Sequence, residues 1–139
     1  MDLRLKYPPQ PKYARSLADV CVEAAARVSG ITLDYSIESL SLVEKEIDSF
    51  IGQKLQTDKI ASTLFCFGCY LGELLAQHVG GHWIPTDESK MKGLTPWPMV
   101  VQMNNGDCWN PIGKVFKRFE EGRSEDLGYF FKIAGGKVG

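Results

Sequence analysis

The sequence lacks an excess of charge of either sign. Its 139 residues contain 16 Lys and Arg against 17 Asp and Glu, which gives a net charge of −1. Proteins that bind nucleic acid or an anionic membrane surface usually carry a basic excess or a basic patch. The charge balance therefore argues against nucleic acid and membrane as partners.

The sequence also lacks the apolar run of a secretory signal. Its first residues, MDLRLKYPPQPKY, hold several charges and three prolines, whereas a signal peptide needs an uninterrupted apolar segment near the N-terminus. The cysteines stand among apolar residues rather than in the loop-rich frame of a small secreted scaffold; they are Cys21, Cys66, Cys69 and Cys108. We therefore expect reduced cysteines and a cytoplasmic protein.

A specific catalytic or metal-binding motif is absent as well. Cys66 and Cys69, followed by His78 and His82, have the composition of a zinc site. On one straight helix, however, Cys69 and His78 are about 900° apart and lie on opposite faces, while zinc needs four ligands in one small tetrahedron. A redox pair would lie at a helix N-terminus rather than inside a helix. We expect no metal and no cofactor.

What the sequence does contain is one long apolar stretch from Ile60 to Val79, which includes Glu73 and ends at Gly80-Gly81. At 100° per residue its apolar side chains cover both sides of a helix, which is typical of a helix buried on both sides. The polar residues Glu73, Gln77 and His78 interrupt the stretch before it reaches the roughly 18 apolar residues of a membrane span. The pattern predicts the core helix of a soluble protein.

Shorter helices are predicted on either side of this stretch. The first runs from about Ser16 to Ser29, with Ser16 and Asp19 in the spacing of a capping box. A second begins at Asp34 or Ser36, and its apolar face consists of Ile37, Leu40, Val43, Ile47, Phe50 and Ile51. Thr57 or Asp58 is expected to cap the core helix. Asn110-Pro111 is expected to begin a helix over 111–121, and Ser124 is expected to cap a last short helix.

A small sheet is predicted between the core helix and the 111–121 helix. The candidate strands are His82 to Pro85, Met99 to Met103 and Asp107 to Trp109, and Asn105-Gly106 favours a type I′ hairpin turn between the last two. The fold class is therefore α+β: a mainly helical single domain of about five helices with a two- or three-stranded antiparallel sheet inserted after the core helix. We expect an extended proline-rich arm at 1–12, the globular domain at 13–134 and a flexible tail at 135–139.

Glu73 is the first candidate site residue, because a carboxylate among apolar neighbours is costly to bury without a partner. The expected cation is Lys114, Lys117 or Arg118 on the 111–121 helix, and Tyr70, Trp83 or Asn110 could donate hydrogen bonds. Glu73 would then be a structural buried charge. Alternatively, it lines a cleft as a general base or ligand anchor, supported by His78 or His82.

Two further surfaces are candidates for binding a partner. The acidic face of the second helix carries Glu38, Glu44, Glu46 and Asp48, and it is either a solvated face or a contact surface for a basic partner. The loop over 86–98 carries Asp87, Glu88, Met91 and Trp97, and aromatic anchors on irregular loops are frequent at interfaces. Trp97 could equally fold back to cover the core.

Several segments together resemble a widespread group of small bacterial domains of unknown function. They are YLGELL at 70–75, GGHW at 80–83 and NPIGKVFKR at 110–118, with LDYSIESL at 33–40 before them and DLGYFF at 126–131 after them. The likeness covers about residues 30 to 131. Small bacterial proteins of this type are often immunity proteins encoded beside secreted polymorphic toxins, so the resemblance implies such a role without implying a catalytic residue.

Two hypotheses follow. In the first, the protein is a non-enzymatic binding module, most concretely an immunity protein that blocks a cognate toxin through the acidic helix or the 86–98 loop. In the second, it is a small enzyme or small-ligand-binding domain with a cleft around Glu73, between the core helix, the hairpin and the 111–121 helix.

Overall fold

Residues 3–136, the part of the chain that the computed structural model describes, form five α-helices and one three-stranded antiparallel sheet. The helices are α1 (Ala14–Ala24), α2 (Leu40–Gly52), α3 (Thr57–Val79), α4 (Pro111–Glu121) and α5 (Leu127–Ala134), and the strands are β1 (His82–Pro85), β2 (Met99–Gln102) and β3 (Cys108–Trp109). The predicted fold class is confirmed: the protein is mainly helical, and the small sheet follows the central helix.

The central helix is α3, and 13 of its 23 residues are buried. Both α1 and α4 pack along it, and β1 and β2 cover part of its remaining surface. By length and composition α3 could cross a membrane, but 72% of its most apolar window is buried inside the protein. That burial is characteristic of the core helix of a soluble protein, as the apolar pattern on both of its faces predicts.

Two glycines allow neighbouring elements to approach the backbone of α3 closely. A Cβ atom added at Gly68 would lie 2.5 Å from the Cα atom of Ile112 in α4, and one at Gly72 would lie 2.0 Å from the Trp83 ring of β1. Both distances are shorter than any van der Waals contact, so only glycine fits at these positions. The crossing of α3 with α4 and the seat of the Trp83 ring therefore depend on these missing side chains.

The sheet has the order β1-β2-β3, and its registers pair His82 with Gln102 and Val101 with Trp109. The predicted type I′ turn is wrong, because Gly106 has a positive φ of 91° whereas Asn105 does not. The Met103 amide donates to the Asp107 carbonyl at 2.8 Å and closes a three-residue loop. In such a loop only the last residue needs the left-handed conformation.

The helix ends agree with the predictions where the capping residue directly precedes the helical turn. Ser36 accepts from the Ser39 amide, and Asn110 accepts from the Gly113 amide at 2.9 Å. The other predicted caps are wrong. A 3₁₀ turn over Pro11–Tyr13 starts α1 at Ala14, Gln56 precedes α3 without a side-chain cap, and Asp126 rather than Ser124 caps α5.

The N-terminal arm lies on the body of the protein. Leu3, Leu5 and Tyr7 are partly buried against the core, and the Arg4 amide donates to the Ser62 hydroxyl at 2.7 Å. At the other end of the chain, residues 137–139 of the predicted tail lie outside the described residues. The first helix ends differently from its prediction, because Ala25–Ser29 continues α1 as a π-helical segment that Gly30 closes with a φ of 67°.

We predict that Gly68→Ala destabilises the protein by about 1–3 kcal/mol, because the new methyl group overlaps the backbone of Ile112 and forces α4 outward. Urea unfolding monitored by circular dichroism gives the free energy of unfolding. Gly52→Ala is the matched control, since no atom lies within 4 Å of its Cβ position and its expected effect is a gain of about 0.5–1 kcal/mol. Equal effects of the two substitutions would contradict the close approach.

Candidate functional site: the groove between α2, α4 and α5

An open groove of about 470 Å³ lies between α2, α4 and α5. Its apolar walls are Ile37, Leu40 and Phe131. The charged residues Glu44, Asp48 and Arg118 also line it, and Glu38, Arg123, Asp126 and Lys132 stand at its rim. We call this feature the α2–α5 groove.

Arg118 is the centre of that cluster, and only 1% of its surface is exposed. Its Nε donates to Glu44, and its Nη2 donates to Asp48 at 2.7 Å. Desolvation by burial alone would lower the pKa of Arg118, but the hydrogen bonds to Asp48 and Glu44 outweigh it and raise the pKa. The guanidinium group therefore remains charged between two carboxylates.

The two carboxylates extend the cluster to the segment before α5. The second oxygen of Glu44 accepts from the Leu127 amide at 2.5 Å, and the second oxygen of Asp48 lies 3.4 Å from Arg123 Nε. The Leu127 bond satisfies one of the free amides at the N-terminus of α5. One ionic network thus ties α2, α4 and α5 together beneath the groove.

The predicted acidic surface of α2 is largely wrong. Glu44 and Asp48 point to Arg118, and Glu46 is 7% exposed, so among the four predicted acids only Glu38 is fully exposed. The periodicity of α2 identifies its apolar face correctly but contains no information about a cation 70 or more residues further along the chain. A carboxylate that has such a partner can be buried instead of solvated.

The predicted cation for Glu73 is also wrong. Its partner is Trp83, whose Nε1 donates to the carboxylate at 3.1 Å. Lys114 binds Glu125 at 2.8 Å, Lys117 is exposed and Arg118 lies in the α2–α5 groove. Helix geometry explains the difference. The helix α4 packs against α3 at Gly68, and Glu73, five positions later, lies about 140° further around α3 and so points away from α4.

Glu73 is half-buried, and desolvation raises the pKa of its carboxyl group, opposed by the Trp83 hydrogen bond and the charge of Arg15. None of five cavities found within residues 3–136 is lined by Glu73. The basic side chains expected beside Glu73 lie elsewhere. A cavity of about 500 Å³ beside α4 is lined by Asn110, Lys114 and Lys117 but not by Glu73, so the residues expected to share one cleft are not brought together.

His78 and Tyr70 form hydrogen bonds to the backbone of Tyr35, which the sequence did not predict. Tyr35 has a φ of 62°, a conformation that is rare for an aromatic residue. His78 Nε2 donates to the Tyr35 carbonyl at 2.7 Å, and the Tyr35 amide donates to the Tyr70 hydroxyl at 2.8 Å. These bonds fix the connection before α2 onto α3. His82 is exposed on β1.

The 86–98 loop is divided between core and surface. Trp97 stacks on Phe116 with ring centroids 4.4 Å apart, so it covers the core, which was one of its two interpretations. Asp87 and Glu88 are exposed and Met91 is partly buried. The most exposed apolar side chain of the loop is Leu94, at 76%, and it was not among the residues predicted from the sequence.

Three of the four cysteines are buried thiols: Cys21, Cys66 and Cys69. Burial raises the pKa of the Cys66 thiol to about 11, and burial also raises the pKa values of the Cys21 and Cys69 thiols. Within residues 3–136, no three His, Cys, Asp or Glu side chains cluster so as to hold a metal ion. None of these thiols lines the α2–α5 groove.

Comparison with known proteins adds no functional information. No protein-family model matches the chain, and neither a curated protein nor a solved structure matches it significantly. The function must be argued from the geometry of the site.

We predict that Arg118→Met destabilises the protein by about 3–5 kcal/mol, because it leaves Glu44 and Asp48 partly buried without their cation. Arg118→Lys should be intermediate, since one ammonium group cannot reproduce two directed bonds. The measurement is urea unfolding at neutral pH. Arg123→Met is the control: it removes an exposed partner of the same Asp48 and should cost less than about 1 kcal/mol. If Arg118→Met lowered the free energy of unfolding no more than Arg123→Met does, the stabilising role of the Arg118 network would be contradicted.

We predict that Glu73→Gln becomes more stabilising, relative to the natural chain, as the pH rises. A raised pKa means that folding favours the protonated carboxyl group of Glu73. The ionised carboxylate therefore lowers the free energy of unfolding. This loss is absent below the ordinary pKa of 4.5 and develops as the pH rises through the folded-state pKa. Glutamine keeps an acceptor for Trp83 and has no such penalty. Unfolding titrations at several pH values between 4 and 8 measure the difference, and a pH-independent difference would contradict the prediction.

Proposed function

We propose that this protein is a non-enzymatic protein-binding module, and that it acts as an immunity protein that binds and blocks a cognate bacterial toxin in the cytoplasm. The observation that carries the proposal is the α2–α5 groove, an open surface with apolar walls above charged groups that already pair with one another. The specific role is suggested by the segments that resemble small bacterial domains of unknown function, because proteins of that type are often immunity proteins.

The groove offers an apolar anchor site. Ile37 is 42% exposed at its edge, and Leu40 and Phe131 form its walls. Apolar side chains that are exposed next to a concave surface favour contact with an apolar side chain of a partner, and such central contacts usually dominate binding energy. A protein segment with one large apolar residue is the occupant that fits this surface.

The charges around the groove favour a partner segment of mixed charge. Two acids and two bases stand exposed at the rim, namely Glu38, Asp126, Arg123 and Lys132. Because their charges balance, the rim has no preference for a polyanion or a polycation. Exposed rim charges of this kind contribute to orientation and partner choice more than to affinity.

The same network argues against catalysis in the groove. Both oxygens of Glu44 accept hydrogen bonds from the protein, and both oxygens of Asp48 face arginine nitrogens. A general base must direct a free lone pair at the substrate. Carboxylates that are committed to Arg118 and the Leu127 amide support a structural role and a binding surface above them.

We predict that Ile37→Asp weakens the complex with a cognate toxin at least tenfold, because it places a charge at the apolar edge of the groove. The partner to be tested is the product of a toxin-like reading frame adjacent to this gene. Its affinity is measured by calorimetry, and the protection of a bacterial host from its toxicity is measured by growth.

Two control variants test whether the partner binds at the α2–α5 groove or at another surface. Leu94→Asp tests the 86–98 loop, and Ile51→Asp places the same charge on α2 outside the groove; both should leave binding unchanged. Circular dichroism confirms that each variant is folded. Loss of binding in Leu94→Asp alone would transfer the site to the loop, and failure of the natural chain to bind the toxin or protect the host would refute the immunity role.

A further inference from the structure

The guanidinium group of Arg118 has one nitrogen that the ionic network leaves without a partner. A guanidinium group carries N–H donors on all three of its nitrogens. Nε donates to Glu44 and Nη2 donates to Asp48, but no group in residues 3–136 accepts a hydrogen bond from Nη1, although this atom is buried. Buried polar groups in native proteins nearly always have a partner, and a buried donor without one costs free energy.

The position of Arg118 distinguishes its free donor from the other buried donor that lacks an acceptor. Trp109 Nε1 is also buried and unpartnered in the described part of the chain, but Trp109 lines none of the five cavities found within residues 3–136. Arg118, in contrast, lines the α2–α5 groove. An acceptor that enters this groove can therefore approach the guanidinium group, whereas none of these cavities leads to Trp109.

The charges around Arg118 select a neutral acceptor. Glu44 and Asp48 carry two negative charges against the one positive charge of Arg118, which leaves one negative charge, and the two acids and two bases at the rim cancel one another. A carboxylate or phosphate on Nη1 would stand close to the two carboxylates on the same guanidinium group, and like charges at such short range repel strongly. An amide carbonyl oxygen accepts the same hydrogen bond without this repulsion.

The walls of the groove select an apolar group beside that carbonyl. Ile37, Leu40 and Phe131 are apolar, and the volume of about 470 Å³ lies within the range of roughly 300–1,000 Å³ that is typical of small-ligand sites. Every residue of a polypeptide carries a backbone carbonyl next to its side chain. A single residue with a large apolar side chain therefore supplies both groups at once.

We propose that the α2–α5 groove binds a peptide segment of the partner whose backbone carbonyl accepts a hydrogen bond from Arg118 Nη1, while the apolar side chain of the same segment packs against Ile37, Leu40 and Phe131. Because Nη1 is buried, binding includes a displacement of side chains at the rim. Ile37 and Glu38 are exposed there, and exposed side chains change rotamer within nanoseconds. This assignment of the segment rests on the proposed function, which supplies a protein as the partner.

The test is an NMR titration of the full-length chain, labelled with ¹⁵N at arginine, with N-acetyl-leucine N-methylamide as the probe. We expect a saturable shift of the Arg118 Nη1 resonance, which is assigned by its absence from the spectrum of Arg118→Lys. The Nε resonance of Arg27 is the internal control and should not move, because Arg27 is exposed on the π-helical segment and does not line the groove.

Two related probes test the two parts of the site in the natural chain. N-acetyl-leucine ends in a carboxylate and should bind about tenfold more weakly than the amide probe, because Glu44 and Asp48 repel it. N-acetyl-alanine N-methylamide keeps both carbonyls but lacks the large side chain, and it should bind about fivefold more weakly. Tighter binding of N-acetyl-leucine would indicate a C-terminal carboxylate and overturn the neutral acceptor, and equal binding of the alanine and leucine amides would overturn the role of the apolar walls.

The result that overturns the proposal needs no variant. It is either a saturable shift of the Phe131 resonances without a shift of Arg118 Nη1, or no saturable shift with the amide probe at all. If the natural chain binds the toxin but the probe leaves Nη1 unchanged, the amide site is refuted while the proposed function stands. If the probe shifts Nη1 but the toxin does not bind, the amide site is supported and the immunity role is refuted.

Discussion

The burial of α3 on every side is the constraint on which the rest of the structure depends. An apolar helix of 23 residues in a chain of 139 leaves little else to form a core. The helices α1 and α4, two strands of the sheet and the N-terminal arm all cover its surface. Where the cover is closest, at Gly68 and Gly72, the side chain of α3 is missing altogether. The polar exception, Glu73, is accommodated by one indole N–H at the edge of this cover.

The helices α2 and α5 belong to a second layer, whose attachment has a different physical basis. The helix α2 contacts α4 and α5 more than it contacts α3, whereas α5 contacts α3 and α4 equally. Arg118 holds α2 through Glu44 and Asp48, and Glu44 in turn accepts from the Leu127 amide of α5. A buried ion pair contributes little net stability but strongly disfavours arrangements that would leave its charges unpaired. The network therefore fixes where α2 and α5 lie, and the groove is the space that remains between them.

The sequence was informative wherever the relevant interaction was local. Apolar periodicity predicted the five helices and the place of the sheet, and the segments directly before helical turns predicted the caps at Ser36 and Asn110. Short 3₁₀ turns over Pro11–Tyr13 and Arg123–Glu125 precede α1 and α5 and move their starts away from the expected caps. No such turn precedes α3, which begins at Thr57 without a side-chain cap. The pairing of Arg118 with Glu44 spans 74 residues, and no pattern within either helix specifies it. Trp83 was one of three predicted donors to Glu73, with Tyr70 and Asn110, and the sequence did not distinguish among them.

The three acids Glu44, Glu46 and Asp48 show why the charge of a segment does not give the charge of a surface. They appear in the sequence as one acidic face, but positions 44 and 48 lie about 40° apart on the helix and position 46 lies opposite both. Glu44 and Asp48 meet a cation from α4, while Glu46 enters an apolar cavity. Most of the negative charge of α2 is thus neutralised or enclosed, and a basic partner has little to recognise there. Under the proposed binding role, recognition at the α2–α5 groove therefore depends on its apolar walls and on the few charges exposed at its rim.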